Sequence, residues 1–201
     1  SPASSASGNL DKEDTCPICL RYFTGPVTTT RCKHKFCADC LDNALKISGQ
    51  CLVCKSVIGQ LKGNQPPGTM THRIDYLHSL PGYEYMNCRS IATIEIHYYF
   101  PDGTQGPEHP NPGKPYTGTS RTAYLPDNAE GREVLRLLKQ AFDSRLVFTI
   151  GTSATTGLTD TVVWNGIPHK TSKYGGPNSY GYPDPQYLAT VKEQLAAKGI
   201  K

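Results

Sequence analysis

Residues 16–54 read CPICLRYFTGPVTTTRCKHKFCADCLDNALKISGQCLVC. Seven cysteines and one histidine fall in this stretch: Cys16, Cys19, Cys32, His34, Cys37, Cys40, Cys51 and Cys54. Their spacing is C-x2-C-x12-C-x-H-x2-C-x2-C-x10-C-x2-C. A Cys-x2-Cys turn brings two thiolates within reach of one ion, and Zn²⁺ takes four nitrogen or sulfur ligands in a tetrahedron. Eight ligands are enough for two such ions. A segment of about 45 residues buries too little apolar surface to offset its chain entropy. A structural zinc supplies roughly 10–16 kcal/mol of apparent binding energy, which such a segment requires. A disulfide framework is the competing interpretation. The paired spacing, the histidine among the cysteines and the expected lack of a signal peptide all weigh against it.

The order C3HC4, with a single residue between Cys32 and His34, resembles a RING rather than a PHD or LIM module. That resemblance implies a cross-brace. Cys16, Cys19, Cys37 and Cys40 hold one ion, and Cys32, His34, Cys51 and Cys54 hold the other. Both sites are then closed by four protein ligands, so the metal is structural and activates no water.

At 201 residues the chain has room for about two domains. It contains no run of 18 apolar residues, so no membrane-spanning helix is expected. Residues 11–60 carry seven Lys/Arg against five Asp/Glu, and residues 61–201 carry fourteen against twelve. Neither part has the basic excess of a nucleic-acid footprint. The one local cluster, Arg31, Lys33 and Lys35, reads as a solvated loop. Cys88 is the only cysteine outside the zinc set, which suits a reducing compartment, cytoplasmic or nuclear.

Residues 1–10 are Ser/Ala-rich without periodicity and read as a disordered linker. The RING is assigned to residues 11–60, with a short helix over Ala38 to Ile47. Gly63-Asn64-Gln65-Pro66-Pro67-Gly68 reads as a turn linking it to a second domain, residues 61–201. In that domain Ile94, Ile96, Tyr98 and Phe100 alternate, which predicts a strand over Ile91 to Phe100. The Pro/Gly-rich residues 101–120 predict a loop. Asp127 with Glu130 predicts a capping box, followed by an amphipathic helix through Val134, Leu137, Leu138, Ala141 and Phe142 to Asp143. Leu146 to Ile150 and Thr161 to Trp164 read as buried strands. Asp184-Pro185 predicts the N-cap and first position of a last helix that Gly199 stops. Without strict βαβ alternation the second domain is expected to be α+β.

Six motifs in this domain resemble the C-terminal domain of the Deltex family. They are Gly63-Asn64-Gln65-Pro66, Glu108-His109-Pro110-Asn111-Pro112-Gly113, Arg121-Thr122-Ala123-Tyr124-Leu125-Pro126, Phe148-Thr149-Ile150-Gly151, His169-Lys170-Thr171 and Gly181-Tyr182-Pro183-Asp184. With the RING, the resemblance covers about residues 14–201, and Tyr180-Gly181-Tyr182-Pro183-Asp184-Pro185 is closest to the Deltex-3 and Deltex-3-like branch. The resemblance implies a RING-type E3 ubiquitin ligase whose partners are a ubiquitin-loaded E2 and ubiquitin. The E2 is expected on Ile18, Leu52 and Val53, with Lys55 at the place of the cation that bridges E2 and ubiquitin. It further implies a pocket for ADP-ribose or NAD, and hence ADP-ribosylated proteins or nucleic acids as targets and an ADP-ribosyltransferase as partner.

Arg121, Thr152, Ser153, Trp164, His169, Tyr180 and Tyr182 are the residues expected to line that pocket. The family's reactive corner is altered in this chain. Pro168 stands where a first histidine is expected, Tyr180 stands at the His/Tyr position, and Gln194 stands in place of a carboxylate. Glutamine takes no proton at neutral pH, so the pocket is expected to persist while its chemistry on ADP-ribose is weakened or lost. The alternative is a non-catalytic ADP-ribose or nucleic-acid reader with a docking RING.

Overall fold

A computed structural model describes residues 14–59, 61–86 and 89–201. The expected linker at residues 1–10 and Cys88 lie outside the described residues. The chain divides between residues 60 and 61 into two compact units.

The first unit is small. Strands β1 (Val27–Thr29) and β2 (Lys35–Cys37) form an antiparallel hairpin, and helix α1 (Ala38–Ile47) follows directly, over the residues that the helical spacing predicts. Phe36 on β2 and Leu41 on α1 are buried with Cys16 and Cys51, and Ile18, Phe23, Leu45 and Ile58 pack around them. Of the four buried hydrophobic residues described in this unit, two are cysteines. The apolar core is therefore only a thin shell between the two metal-ligating groups.

The second unit is α+β, as the sequence implies. Its elements are β3 (Thr69–Asp75), β4 (Tyr85–Met86), β5 (Arg89–Ser90), β6 (Thr93–Phe100), β7 (Gly103–Thr104), β8 (Pro115–Tyr116), β9 (Thr119–Pro126), α2 (Ala129–Asp143), β10 (Phe148–Gly151), β11 (Thr161–Trp164) and α3 (Tyr187–Ala197). Strands β3, β6 and β9 form an antiparallel sheet with β6 in the centre. Side chains alternate between the two faces of a strand. Ile94, Ile96, Tyr98 and Phe100 of β6 accordingly fall together in the core, beside Ala123 and Leu125 of β9. Helix α2 buries Val134, Leu137, Leu138 and Ala141 in the same core, and α3 adds Leu188, Val191 and Leu195.

Several expectations need correction. The turn at residues 63–68 is no linker: it is built into the second unit. Gly63 donates its N–H to Ser144 O at 2.9 Å, so close that a Cβ there would sit 1.9 Å from Arg145 O. Gln65 is only 3% exposed. Its Oε1 accepts from Val147 N and Phe148 N, at 3.2 and 3.1 Å, and its Nε2 donates to Phe142 O. The side chain thus serves as a backbone surrogate where α2 hands over to β10.

The N-cap of α2 is Asn128, whose side chain accepts from Gly131 N, while Asp127 pairs with Arg132. Helix α3 begins at Tyr187 rather than at Pro185, because Asp184 accepts from Gln186 N and Tyr187 N and holds a turn ahead of the helix. Gly199, at φ +78°, ends that helix as expected. Strand β3 was not foreseen, nor was β9. Within residues 101–120, the expected loop carries the short β7–β8 pair.

Replacing Gln65 with Ala would strand two buried backbone donors. Urea denaturation of Gln65→Ala should show the second unit destabilised by about 2–4 kcal/mol, whereas an ordinary surface glutamine would cost less than 0.5.

Candidate functional site

The first unit presents two metal-ligating groups. The Sγ atoms of Cys16, Cys19, Cys37 and Cys40 gather in one, and Cys32, His34, Cys51 and Cys54 gather in the other; within each group every ligand atom lies within 4.8 Å of the others. Cys19 Sγ and Cys37 Sγ are 3.9 Å apart, and His34 Nδ1 lies 3.4 Å from Cys32 Sγ and 3.6 Å from Cys51 Sγ. A tetrahedron with 2.3 Å Zn–S and 2.0–2.1 Å Zn–N bonds has edges of roughly 3.5–3.8 Å. The donor atoms, their number and their separations all fit zinc, and the pairs interleave along the chain.

Of the three Cys-x2-Cys segments, the first and last, Cys16–Cys19 and Cys51–Cys54, are built alike. Leu20 N bonds to Cys16 O and Lys55 N to Cys51 O, both at 2.8 Å, and Leu20 and Lys55 both take positive φ, +58° and +62°. Cys16 N then bonds to Arg21 O, and Cys51 N to Ser56 O.

Thiol acidity within the groups is strongly split. Burial raises the Cys16 thiol, but amide donors at Cys19, Cys37 and Ile18 outweigh it and bring it down to about 6. Cys37 is pushed up to about 12, first by burial and then by the sulfurs of Cys16 and Cys19 beside it. Cys32 is drawn down to about 7, chiefly by the Thr30 hydroxyl. Four sulfurs this close cannot all ionise without a counter-charge, and a dication supplies one.

Of the residues expected to meet an E2, Leu52 and Val53 are 46% and 47% exposed in the last zinc loop. Ile18 in the first loop is half-buried against the small core, and Lys55 is exposed. Leu20, 80% exposed, escaped the sequence reading. The signal was present, because Leu20 follows Cys19 as Lys55 follows Cys54.

The second unit contains a cleft of about 770 Å³ between the β10–β11 hairpin, residues 166–171, the turn at 177–180 and the start of α3. A cleft of this size suits a small-molecule ligand. Arg121, Thr152, Ser153, Trp164, His169 and Tyr180 line it, and so does Pro168. Tyr182 does not. It has no exposed surface and its hydroxyl donates to Tyr124 O at 2.7 Å, so its expected role at the ligand gives way to one in the core. Gln194 is exposed and lies outside the lining, although at 100° per residue it shares a face of α3 with the lining residues Tyr187 and Thr190.

The floor of the cleft is aromatic. Trp164 stacks on Phe148 with ring centroids 4.4 Å apart, as the register Phe148↔Trp164 requires, and His169 lies 4.4 Å from Trp164. His169 Nδ1 donates to Ile167 O at 2.9 Å, which leaves Nε2 to accept from the Tyr98 hydroxyl at 2.8 Å. Both ring nitrogens are therefore engaged within the fold, and burial lowers the imidazole to about 4.

Three charged residues line the cleft: Arg121, Lys170 and Asp184. Lys170 Nζ donates to Asp184 Oδ2 at 2.7 Å, and the ammonium lies 5.1 Å from the Tyr187 ring. That pair is self-neutralising. Arg121, exposed on β9, makes no ion pair among the described residues and gives the cleft a net positive charge. The sequence reading missed Lys170, Asp184, Tyr187 and Thr190 as lining residues, although two of them sit in motifs it singled out.

Known protein families match both units. Residues 62–200 match the Deltex C-terminal domain, and residues 15–54 match the C3HC4-type zinc finger, or RING finger. The chain belongs to the Deltex family. Among curated Deltex relatives, it is 51% identical over 191 residues to the human probable E3 ubiquitin-protein ligase DTX3, covering 94% of this chain and 54% of that protein. It is 44% identical over 210 residues to mouse E3 ubiquitin-protein ligase DTX4, covering 94% and 33%. Against human E3 ubiquitin-protein ligase DTX1 the identity is 48% over 177 residues, covering 85% and 28%. The chain spans about half the length of the DTX3 relatives and a third or less of the others. No helix among the described residues is long and apolar enough to cross a membrane.

Two outcomes follow. Zinc assay of the purified protein should return two equivalents, and a strong chelator should abolish amide-exchange protection in residues 14–59 while leaving residues 61–201 protected. In the second unit, the unfolded chain protonates its histidine near pH 6.5, whereas His169 resists protonation until about pH 4. The stability that neutral His169 contributes is thus present at pH 7 and is lost as pH falls through that window. The expected loss between pH 7 and pH 5 is about 2 kcal/mol, read from urea midpoints, and His169→Gln should flatten the slope.

Proposed function

We propose that this chain is the transfer module of a RING-type E3 ubiquitin ligase. The observation that carries this reading is the pair of interleaved Cys/His groups, with Leu52, Val53 and Lys55 exposed in the last loop and Ile18 half-buried in the first. The curated relatives named as E3 ubiquitin-protein ligases support it. The module has no nucleophile of its own. Zinc fixes the loops and takes no part in bond making. The apolar patch grips a ubiquitin-loaded E2 and Lys55 steadies the conjugate, which limits the flexible thioester to geometries open to attack by a substrate amine. Both zinc groups are closed by four protein ligands, which agrees with a structural role.

The cleft of the second unit is proposed to hold ADP-ribose or NAD, directing ubiquitin to ADP-ribosylated proteins or nucleic acids. Its size, its aromatic floor, the hydroxyls of Thr152 and Ser153 and the unpaired Arg121 suit a nucleotide with a pyrophosphate. The residues needed for reaction are poorly provided. Pro168 has no proton to exchange, and its carbonyl accepts from the Tyr187 hydroxyl. His169 has no free nitrogen. The one carboxylate in the lining, Asp184, is tied to Lys170. This favours a cleft that binds ADP-ribose without activating its hydroxyl.

Incubation with E1, E2, ubiquitin and ATP should give autoubiquitination that Ile18→Ala reduces more than tenfold. Calorimetry with ADP-ribose should then show binding unchanged by Ile18→Ala and weakened about tenfold by Arg121→Ala. Binding without any ubiquitin chains would favour the non-catalytic reader, and chains without binding would confine the function to the RING.

A further inference from the structure

The two metal groups differ in what surrounds their sulfurs. In the first, the contacts found among the described residues from outside the four side chains are backbone ones, Cys37 N to Cys16 Sγ at 3.5 Å among them. In the second, two side-chain hydroxyls approach ligand sulfurs: Thr30 Oγ1 lies 2.9 Å from Cys32 Sγ, and Ser56 Oγ lies 3.1 Å from Cys54 Sγ. A metal-bound thiolate carries no proton, so each hydroxyl must be the donor.

Thr30 has a second acceptor within reach, His34 O at 3.1 Å. That carbonyl also accepts from Thr30 N at 2.9 Å, and of the hydroxyl's two acceptors a charged sulfur is both the nearer and the stronger. Thr30 also accepts from Lys33 N at 2.9 Å, closing a tight loop around Cys32 and His34. Ser56 plays the matching part on the other side. Its carbonyl accepts from Cys51 N at 2.8 Å, and its hydroxyl faces Cys54, the one exposed ligand of the eight.

We infer that Thr30 and Ser56 are positioning residues for the Cys32/His34/Cys51/Cys54 centre, and that this centre is the one whose metal affinity side-chain hydroxyls set. A hydroxyl proton on a zinc-bound sulfur spreads its negative charge, orients its lone pairs and lowers the cost of three thiolates around one dication. Loss of such a partner in other metal proteins costs 10–100-fold in affinity. The inference rests on the zinc assignment of the RING. Its consequence reaches the E2 patch, because Leu52 and Val53 lie between the ligands Cys51 and Cys54 and Lys55 follows them. The first centre should be indifferent to both hydroxyls.

The test uses the whole chain loaded with zinc and a chromophoric chelator titrated against it. Wild type should release its two equivalents over a narrow range. Thr30→Val and Ser56→Ala should each release one equivalent at roughly 10–100-fold lower chelator while the second is retained as in wild type. Thr30→Ser, which keeps the hydroxyl, should restore the wild-type curve. Cobalt substitution identifies the centre, since a site of three sulfurs and one nitrogen and a site of four sulfurs absorb at different wavelengths; the bands lost first should be those of the three-sulfur site. Release of both ions at wild-type chelator from Thr30→Val and Ser56→Ala would overturn the inference, as would earlier loss of the four-sulfur bands. A wild-type chain holding fewer than two equivalents would instead overturn the zinc assignment beneath it.

Discussion

The first unit depends on charge neutralisation at sulfur. Its enclosed apolar residues besides the ligand cysteines are Phe36 and Leu41, far too few to offset the entropy of ordering the segment. The remainder must come from metal binding. Burial and neighbouring sulfur hold the Cys37 proton on, while amides pull the Cys16 proton off. A group of thiols so unevenly poised is frustrated without a dication and satisfied with one. The loops are consequently rigid for a reason that has nothing to do with apolar packing, which leaves their apolar side chains free to face outward. Leu20, Leu52 and Val53 are exposed on a unit that can ill spare buried surface, because zinc rather than those side chains holds it together.

The second unit solves a different problem with hydrogen bonds. A cleft of this volume removes packing from a core that already contains polar groups, and each such group must find a partner inside. Tyr98 reaches His169, His169 reaches Ile167 O, Tyr187 reaches Pro168 O, and Gln65 completes the backbone of the α2–β10 junction. Among the described residues no buried side-chain polar atom is left without a partner. The cost of that completeness is chemical. A histidine with both nitrogens engaged and a carboxylate locked to a lysine are stable floor and wall, and they are poor acid–base groups.

What could be read from the sequence follows the range of the forces involved. The metal ligands, α1 and the alternating β6 rest on local spacing, and the structure has them where spacing puts them. Strand β9 was hidden because its inward row runs Arg121, Ala123, Leu125, and an arginine at an inward position spoils the alternation. That position is inward only toward the cleft, so the interruption was itself a sign of a site. Strand β3 was hidden in the same way by the exposed His72 between Met70 and Ile74. The Gly63–Gly68 turn looked like a linker because composition cannot show that Gln65 would find Val147 and Phe148, which lie more than eighty positions away. Tyr182 looked like a ligand contact for the same reason: a phenol in a motif is equally suited to a carbonyl, and Tyr124 O supplies one. Broken alternation thus concealed β3 and β9, and long-range hydrogen bonding concealed the roles of Gln65 and Tyr182.

The two units therefore divide the work in a way that their physics dictates. The first unit has exposed apolar side chains, Leu20, Leu52 and Val53, beside its metal-ligating groups, and in the function proposed above they orient a reactive partner. The second unit has a positively charged, aromatic-floored cleft in which His169 and Asp184 are already engaged, which suits the proposed role of binding without acid–base chemistry. In the proposed function, bond making is left to a thioester carried by another protein, and the chain supplies two kinds of positioning. Lys170 and Asp184 fit this division. Removing either would leave the other as a buried uncompensated charge, a far larger penalty than the pair's own modest contribution. The pair ties residues 168–171 to the turn ahead of α3 and so fixes that wall of the cleft.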